Sequence, residues 1–377
     1  MKKIKLMVVV GTRPEIIRLS ETIKECKKYF DVILVHTGQN YDYSLSKVFF
    51  ENFGLGEPDF YLDSPGAHLG ETIGNIISRS YALIGQEKPD ALLVLGDTNS
   101  CLAAYSAKRL KVPIFHMEAG NRCFDFNVPE EINRRIVDHV ADINLAYTEN
   151  ARRYLISEGL DKDFVYVTGS PMTEVLYKNS LSIENSDVLP RLGIKEKEYF
   201  VVSAHREENI DISENFHSLI TALNSIAEEH AKPMIFSTHP RTQKRIEYEK
   251  IAVHPLIRNI EPLGFFDYIK MQKESYCVLS DSGTVPEEAS ILNFPAVVIR
   301  TSTERPEALD AGSIVLGGIK SEGILNAIGI ATGAYDPDRE NPVRDYQDVN
   351  VSEKLVRIIQ SYTEIVNSRV WNKSQRL

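Results

Sequence analysis

Short apolar runs alternate along the chain with longer stretches in which apolar residues recur every three or four positions. The short runs are rich in β-branched residues and lack polar alternates, which is typical of strands covered on both faces. Strands are predicted at Ile4–Val10, Val32–His36, Ala91–Leu95, Ile114–His116, Ile143–Ala146, Val165–Thr168, Tyr199–Ser203, Met234–Ser237, Tyr276–Leu279, Ala296–Ile299 and Ile314–Leu316.

The stretches with helical spacing fall between these strands. Such alternation indicates an α/β protein with parallel, doubly wound sheets. Helices are predicted at Glu15–Lys28, Gly70–Glu87, Ser100–Leu110, Glu131–Val140, Ser213–Glu229 and Val351–Val370.

The strand–helix pattern restarts at about Tyr199, after a polar stretch at Asn179–Lys197 that we interpret as a linker region. A chain of 377 residues suits two domains. We therefore predict two Rossmann-like domains, residues 1–172 and residues 173–351. The last helix, within residues 352–377, is expected to pack back on the first domain.

Bulk composition narrows the class of function. The formal net charge of −10 argues against nucleic acid as a partner. No apolar run approaches the roughly 20 residues that span a bilayer, and the apolar start before Gly11 reads as a buried strand rather than a signal peptide. The four cysteines show no paired spacing, which fits a reducing cytosol. We expect a cytoplasmic protein with no membrane contact.

Ligands of open α/β sheets bind at the carboxyl ends of the strands, so the loops that follow strands are the informative segments. Gly11–Glu15 follows the first strand and opens a helix, where Arg13 and free N–H groups suit a phosphate. An ordinary turn with a solvated Arg13 is the alternative. The loop lacks the Gly-x-Gly-x-x-Gly pattern, so a dinucleotide is not indicated.

Three carboxylates follow strands or open helices in the first half: Asp97, Glu118 and Glu130. Asp97 is alternatively a helix cap, and Glu130 an acidic first-turn residue. Glu130 shares a helix face with Arg134, four residues on. His116 is more simply a buried structural histidine than a metal ligand, because no further ligands lie nearby. Converging carboxylates are the groups needed to move a proton on and off carbon.

The second half offers an anion site. His205 follows a strand, with a plain surface histidine as the alternative, and the segment around His239 is a weaker candidate of the same kind. Ser282 and Gly283 precede a helix start, where backbone N–H groups suit a diphosphate. Glu287 or Glu288, one turn into that helix, would accept the hydroxyls of a ribose. The loop Thr301–Glu307 adds the cation Arg305.

Taken together and in this order, the strand-end segments resemble the non-hydrolysing UDP-N-acetylglucosamine 2-epimerase family. The resemblance spans nearly the whole chain and is carried by seven segments: Gly11–Glu15, Gly96–Thr98, His116–Gly120, Pro129–Arg134, His205–Arg206, Asp281–Gly283 with Glu287–Glu288, and Thr303–Glu307.

The resemblance implies two Rossmann-like domains facing a cleft, similar to GT-B glycosyltransferases, and a homodimer that needs neither metal nor redox cofactor. The implied reaction is C2 epimerisation of a UDP-linked N-acetylated amino sugar, in which UDP is eliminated to a bound glycal and then re-added. Asp97, Glu118, Glu130 and His205 would be catalytic. UDP would contact Arg13, Leu263, Tyr268, Ser282, Gly283 and Glu288, and the sugar would contact Arg134 and Arg305.

Within the family, the segment from Met117 to Asp125 looks most like the UDP-N-acetyl-L-fucosamine synthase branch, which serves surface polysaccharide. Enzymes of the GlcNAc type usually carry Leu-Arg-Thr where this chain has Asn121-Arg122-Cys123. They often bind a second UDP-GlcNAc as activator through a segment that reads Gln39–Tyr43 here. A UDP-GlcNAc 2-epimerase, a hydrolysing epimerase, a GT-B glycosyltransferase and a UDP-sugar-binding regulator are the alternatives.

Overall fold

The computed structural model of the chain describes residues 3–38, 43–126, 128–237, 245–246, 248–249, 251–339 and 343–373. They form two compact units, Met1–Tyr177 with Gln347–Leu377, and Lys178–Tyr346. Each unit is built on one sheet in which every pairing of the described strands is parallel. The prediction of two doubly wound α/β units is therefore confirmed.

The first unit has a seven-stranded sheet in the order β3-β2-β1-β4-β5-β6-β7. Its strands are β1 (Lys5–Val10), β2 (Asp31–His36), β3 (Phe60–Tyr61), β4 (Ala91–Leu95), β5 (Ile114–Met117), β6 (Ile143–Ala146) and β7 (Val165–Val167). Its helices are α1 (Arg13–Tyr29), α2 (Tyr43–Asn52), α3 (Leu69–Glu87), α4 (Ala103–Arg109), α5 (Pro129–Val140), α6 (Glu149–Ser157) and α7 (Pro171–Lys178), with 3₁₀ turns at Asn99–Leu102 and Lys162–Phe164.

The second unit has a six-stranded sheet in the order β10-β9-β8-β11-β12-β13. Its strands are β8 (Phe200–Ser203), β9 (Met234–Ser237), β10 (Ile257–Ile260), β11 (Cys277–Ser280), β12 (Ala296–Val298) and β13 (Val315–Leu316). Its helices are α8 (Ser180–Glu184), α9 (Val188–Leu192), α10 (Glu207–Ile210), α11 (Ser213–His230), α12 (Phe265–Lys273), α13 (Val285–Leu292), α14 (Pro306–Asp310) and α15 (Ser321–Gly333), with a 3₁₀ turn at Arg344–Tyr346.

Alternate residues of the central strands enter different apolar clusters. In β8, Phe200 and Val202 belong to one cluster and Val201 to another. Both faces of the sheet are therefore covered, which is why these strands carry no polar alternates. The eleven strands predicted above all form, with ends that differ by at most one residue.

Two strands were not predicted, β3 and β10, and both are edge strands. Strand β3 has only two residues, and β10 exposes Arg258 and Asn259 in mid-strand. An edge strand need not be apolar throughout, so neither produced a continuous apolar run.

The stretch Asn179–Lys197, interpreted as a linker region, connects the two sheets and is itself folded. The stretch contains α8 and α9, both of which pack against α12. Ile183, Val188 and Leu189 are buried, so these few apolar residues anchor an otherwise polar segment to the second unit.

The chain ends in the first unit with α16 (Val351–Arg369), which packs against α1. Its start is held by Glu174 of α7, whose carboxylate accepts from the backbone N–H of Ser352 at 2.8 Å and from its hydroxyl at 2.6 Å. Among the described residues, no helix combines the length and the apolar character that crossing a bilayer requires.

Candidate functional site

Each sheet has one point where the strand order reverses direction, and such switch points are where open α/β sheets bind ligands. In the first unit it lies between β1 and β4, and in the second between β8 and β11. The loops that follow these four strands include Gly11–Glu15, Asp97, His205 and the Ser282–Gly283 turn, all of which the sequence predicts to take part in binding or catalysis.

Glu15 joins the loops after β1 and β4. Its Oε2 accepts from the backbone N–H of Gly11 at 3.1 Å and from the Thr12 hydroxyl at 2.7 Å, and its Oε1 accepts from the Ser100 hydroxyl. Burial raises the pKa of Glu15, and these hydrogen bonds oppose the increase. The side chain therefore acts as an internal brace for the two loops.

Glu118, the first residue after β5, adopts a left-handed backbone conformation with φ at +63°. Such a conformation costs a non-glycine residue roughly 1–3 kcal/mol, and residues of this kind cluster at functional sites. The buried carboxylate pairs with the guanidinium of Arg18 on α1, and Asn121 Nδ2 donates to its Oε1 at 3.3 Å. A Cβ added to Gly96 would lie 3.6 Å from Glu118 Oε2, so the carboxylate lies beside the loop after β4.

Asp97, the second residue of that loop, pairs with the Arg134 guanidinium of α5. It does not cap the following 3₁₀ turn, whose N-cap residue is Thr98. Burial raises the pKa of Asp97, Arg134 lowers it, and the charges of Glu118 and Glu130 raise it further. Asp97 is therefore within electrostatic range of Glu118 and Glu130, and Arg134 and Arg18 pair with Asp97 and Glu118 respectively.

A buried network lies under Glu118. His116 Nε2 lies 2.8 Å from the Gly96 carbonyl oxygen, and its Nδ1 lies 3.0 Å from Asp138 Oδ1, off-line for a hydrogen bond. Asp138 Oδ2 lies 2.7 Å from Arg122 Nη1. His116 is therefore a buried structural histidine, as the sequence analysis favoured over a metal ligand.

The second-unit cluster begins with Asp281, the first residue after β11. Its buried carboxylate accepts from the backbone N–H of His205 at 3.1 and 3.0 Å and from that of Arg206 at 3.0 Å. His205 Nδ1 lies 3.2 Å from Asp281 Oδ1, and 56% of the His205 side chain is exposed. Asp281 therefore holds the β8–α10 loop and leaves the imidazole accessible to a ligand.

The turn at Ser282 and Gly283 precedes α13 and is supported by arginines. Arg305 Nε donates to the Gly283 carbonyl at 3.1 Å, and Arg305 Nη2 lies 2.9 Å from Glu287 Oε2. Only 2% of the Arg305 side chain is exposed, so in this conformation it supports the turn from within the unit. A Cβ added to Gly283 would lie 3.6 Å from Arg206 Nη2, which places a second guanidinium beside the turn.

Glu288 lies one turn into α13, where Gln272 Nε2 donates to its Oε2 at 2.8 Å. Burial raises the pKa of Tyr268, the charge of Glu288 adds to the increase, and a hydrogen bond with Ser203 opposes it. The phenol therefore lies near Glu288. Leu263 packs against the same apolar cluster as Tyr268. Among the residues expected to contact UDP, these three form one group.

Arg13 is the first residue of α1. Its guanidinium carbon lies 6.0 Å from the centre of the Phe49 ring on α2. The segments around His239 and Gln39–Asp42 lie outside the described residues. Across the described ranges, no group of three or more His, Cys, Asp or Glu side chains is arranged to hold a metal ion.

The sequence profile of the family described as UDP-N-acetylglucosamine 2-epimerase matches residues 24–360. The chain belongs to this family. Membership confirms the prediction of an enzyme, an isomerase that acts on UDP-sugars.

Relatives in the UDP-N-acetylglucosamine 2-epimerase family match over almost the full length. A structure of UDP-N-acetylglucosamine 2-epimerase from Rickettsia bellii is 45% identical, with a TM-score of 0.91, and the match covers 98% of this chain and 100% of that one. The Methanocaldococcus jannaschii enzyme, solved in complex with UDP-GlcNAc and UDP, is 34% identical with a TM-score of 0.88 over 94% and 99% of the two chains. A Methanococcus maripaludis UDP-N-acetylglucosamine 2-epimerase is 37% identical over 86% of this chain and 90% of its own.

Sequence reasoning missed Arg18, Asp138 and the supporting role of Asp281. A signal for Arg18 was present, because Glu15, Arg18 and Thr22 recur at three- and four-residue spacing beside the apolar stripe of α1, and all three are buried. For Asp138 the only signal was an acidic residue near a helix end, where the dipole disfavours it.

Proposed function

We propose that this enzyme inverts C2 of a UDP-linked N-acetylated amino sugar by eliminating UDP and adding it back. The C2 proton is only weakly acidic, because no carbonyl neighbours that carbon. In the elimination, a base takes the proton, the C–H electrons form a C1–C2 double bond, and UDP leaves C1 with the bonding pair. UDP then attacks C1 while an acid delivers a proton to the opposite face of C2.

The observation that carries this proposal is the position of the Glu118 carboxylate beside the loop of Asp97, where the charges of Glu118 and Glu130 raise the pKa of Asp97. Proton transfer on two faces of one carbon needs a base and an acid, and groups whose environments differ supply both roles. Glu118, paired with Arg18, is the proposed base. Asp97, whose pKa is raised by burial, is the proposed acid. Glu130 is assigned to proton delivery or positioning.

The second unit supplies groups suited to a nucleoside diphosphate. We assign the diphosphate to His205 and to the turn at Ser282 and Gly283, with Arg13 as a further cation. Phosphate oxygens bind well at a helix N-terminus beside guanidinium groups, and α13 begins at Val285. A departing diphosphate also needs this charge stabilisation.

The remaining assignments concern the nucleoside and the sugar. We assign the ribose to Glu288, the uracil to Leu263 and Tyr268, and sugar contacts to Arg134. Arg305, expected to contact the sugar, is assigned instead to supporting the turn, because its side chain is buried and its Nε donates to the Gly283 carbonyl.

The proposed substrate is UDP-2-acetamido-2,6-dideoxy-L-talose, giving UDP-N-acetyl-L-fucosamine. Asn121, which replaces the Leu usual in GlcNAc-type enzymes, donates to the proposed base Glu118 at 3.3 Å. The residue at which this chain differs from GlcNAc-type enzymes therefore contacts the proposed base. UDP-GlcNAc is the second candidate substrate, favoured by the names of the relatives.

NMR of candidate UDP-sugars in D2O tests the reaction. Deuterium entering C2, with UDP and sugar still joined, is expected, and the faster of the two sugars identifies the substrate. Release of free sugar would indicate a hydrolysing enzyme, and binding without exchange would indicate a regulator or a glycosyltransferase.

Glu118→Gln tests the assigned base. We expect exchange to fall at least about 100-fold, the lower range for loss of general base catalysis, with UDP binding retained. Glu149→Gln, which removes an exposed carboxylate on α6, is the matched control and should exchange at the wild-type rate. Normal exchange by the Glu118 variant would remove the basis for the assignment.

A further inference from the structure

The fully buried carboxylate of Asp138, on α5, contacts the residues two positions before and two positions after Glu118. The backbone N–H of Gly120 donates to both carboxylate oxygens at 3.2 Å. On the other side, His116 Nδ1 lies 3.0 Å from Asp138 Oδ1. One side chain thus contacts both ends of the five-residue segment whose centre has the left-handed conformation, by hydrogen bonds at Gly120 and by close approach at His116.

The same network reaches the loop that carries Asp97. His116 Nε2 lies 2.8 Å from the carbonyl oxygen of Gly96, the residue before Asp97. Asp138 is therefore linked through His116 to the loop of the proposed acid, and the residues that it contacts lie two positions from the proposed base. None of these contacts involves the carboxylates of Asp97 or Glu118 themselves.

The buried guanidinium of Arg122 keeps the Asp138 carboxylate ionised, so that it can accept hydrogen bonds. Burial alone would raise the pKa of Asp138, but the contacts with His116 and Arg122 lower it below its ordinary value. Arg122 is in turn held by Glu158, with Nε–Oε1 at 2.9 Å and Nη2–Oε2 at 2.6 Å. The carboxylate is thus ionised and fixed, as a brace for a strained segment must be.

A left-handed backbone costs free energy at a non-glycine residue that does not end a helix, so contacts that fix the neighbouring residues are needed to maintain it. The contacts of Asp138 with His116 and Gly120 do so for Glu118. We infer that Asp138 is a positioning residue that sets the geometry of Glu118, and through His116 that of Asp97, for proton transfer at C2. This inference rests on the proposed function of Glu118.

Asp138→Asn tests the inference by replacing one accepting oxygen with an NH₂ group that faces donors. We expect kcat and the rate of C2 deuterium exchange to fall at least tenfold, while KM and the Kd for UDP stay within twofold. A merely structural role would reduce the amount of folded enzyme without separating kcat from KM.

The matched control is Asp142→Asn, because Asp142 is also a buried carboxylate of the first unit. It accepts from the backbone N–H of Ile114 at 3.0 Å, at the opposite end of β5 from Glu118. It should lose stability and keep the wild-type kcat. A kcat for the Asp138 variant within twofold of this control would overturn the inference.

His116→Phe provides a second variant that leaves Asp138 paired with Arg122. It should also show a lower kcat with an unchanged KM, and a wild-type kcat would count against the inference. If neither variant folds, the network is a folding element and the inference is rejected. Glu118→Gln, measured alongside, separates the two proposals: an active Glu118 variant refutes the proposed function, whereas an inactive one beside a normal Asp138 variant refutes only the positioning role.

Discussion

Mild acid should destabilise the first unit because His36, the last residue of β2, is buried as a neutral imidazole. Only 2% of the residue is exposed, and its ring lies between Phe50 and Tyr61, with ring centres 6.0 and 5.8 Å away. Its Nδ1 accepts from the backbone N–H of Gly38 at 3.0 Å, which requires an unprotonated nitrogen. Burial lowers the pKa of His36 from 6.5 to about 4.

The sign and size of the change in stability follow from the difference between the pKa values of His36 in the folded and unfolded chain. Between pH 6.5 and pH 4 the unfolded chain binds a proton at His36 that the folded protein does not. Stability is therefore lost as the pH falls through this window, and the loss is complete below about pH 4. Since each pKa unit corresponds to about 1.4 kcal/mol, His36 alone should remove about 3 kcal/mol of unfolding free energy.

Urea unfolding at pH 7.0, 5.5 and 4.5, followed by circular dichroism, measures this dependence. His36→Gln keeps an acceptor and does not titrate, so its unfolding free energy should fall less with acid than that of the wild type. His217→Gln, which removes a half-exposed imidazole of the second unit, should retain the wild-type slope. Identical pH dependence in the His36 variant and the wild type would refute the reasoning.

Two further predictions concern single positions. Gly120 has φ at +82°, and an added Cβ would lie 2.4 Å from a backbone carbonyl of α6. Gly120→Ala should therefore cost well over the roughly 1 kcal/mol expected for Gly159→Ala, where φ is +92° and the surroundings are open, as measured by thermal unfolding; equal costs would contradict the clash. Arg305→Lys cannot reach both Gly283 and Glu287, so calorimetry should show UDP binding weakened about tenfold, and unchanged affinity would show that the turn needs no such support.

The architecture was predictable because it depends on neighbours a few residues apart. Strand β4 lies between helices on both faces, so every residue of Ala91–Leu95 is buried and apolar, and its limits were visible in the sequence. The start of α5 was visible as well, since Pro129 and the acidic residues Glu130 and Glu131 are typical of a first helical turn. The short helices of 179–197 were missed because three buried apolar residues produce no sustained period.

The candidate site was predictable only in part. Strand-end loops predicted a ligand at Asp97, Glu118, Glu130, His205 and the Ser282–Gly283 turn, and the structure places each of them after a strand or at the start of a helix. The partner of Glu118 was not predictable, because Arg18 lies 100 residues away in sequence. The placement of Arg305 was not predictable either, since its loop reads as exposed and polar.

By itself, the sequence determined the two α/β units, the strand ends that carry polar groups, and the family. These depend on local periodicity and on residue types in order along the chain. Only the tertiary structure decided which charged groups pair: Arg18 with Glu118, and Arg134 with Asp97. It also decided that Asp138 contacts the segment that contains Glu118. Such pairings arise when crossover connections bring strand ends that are far apart in sequence to one edge of a sheet. A short-range sequence pattern does not specify which of these strand ends become neighbours.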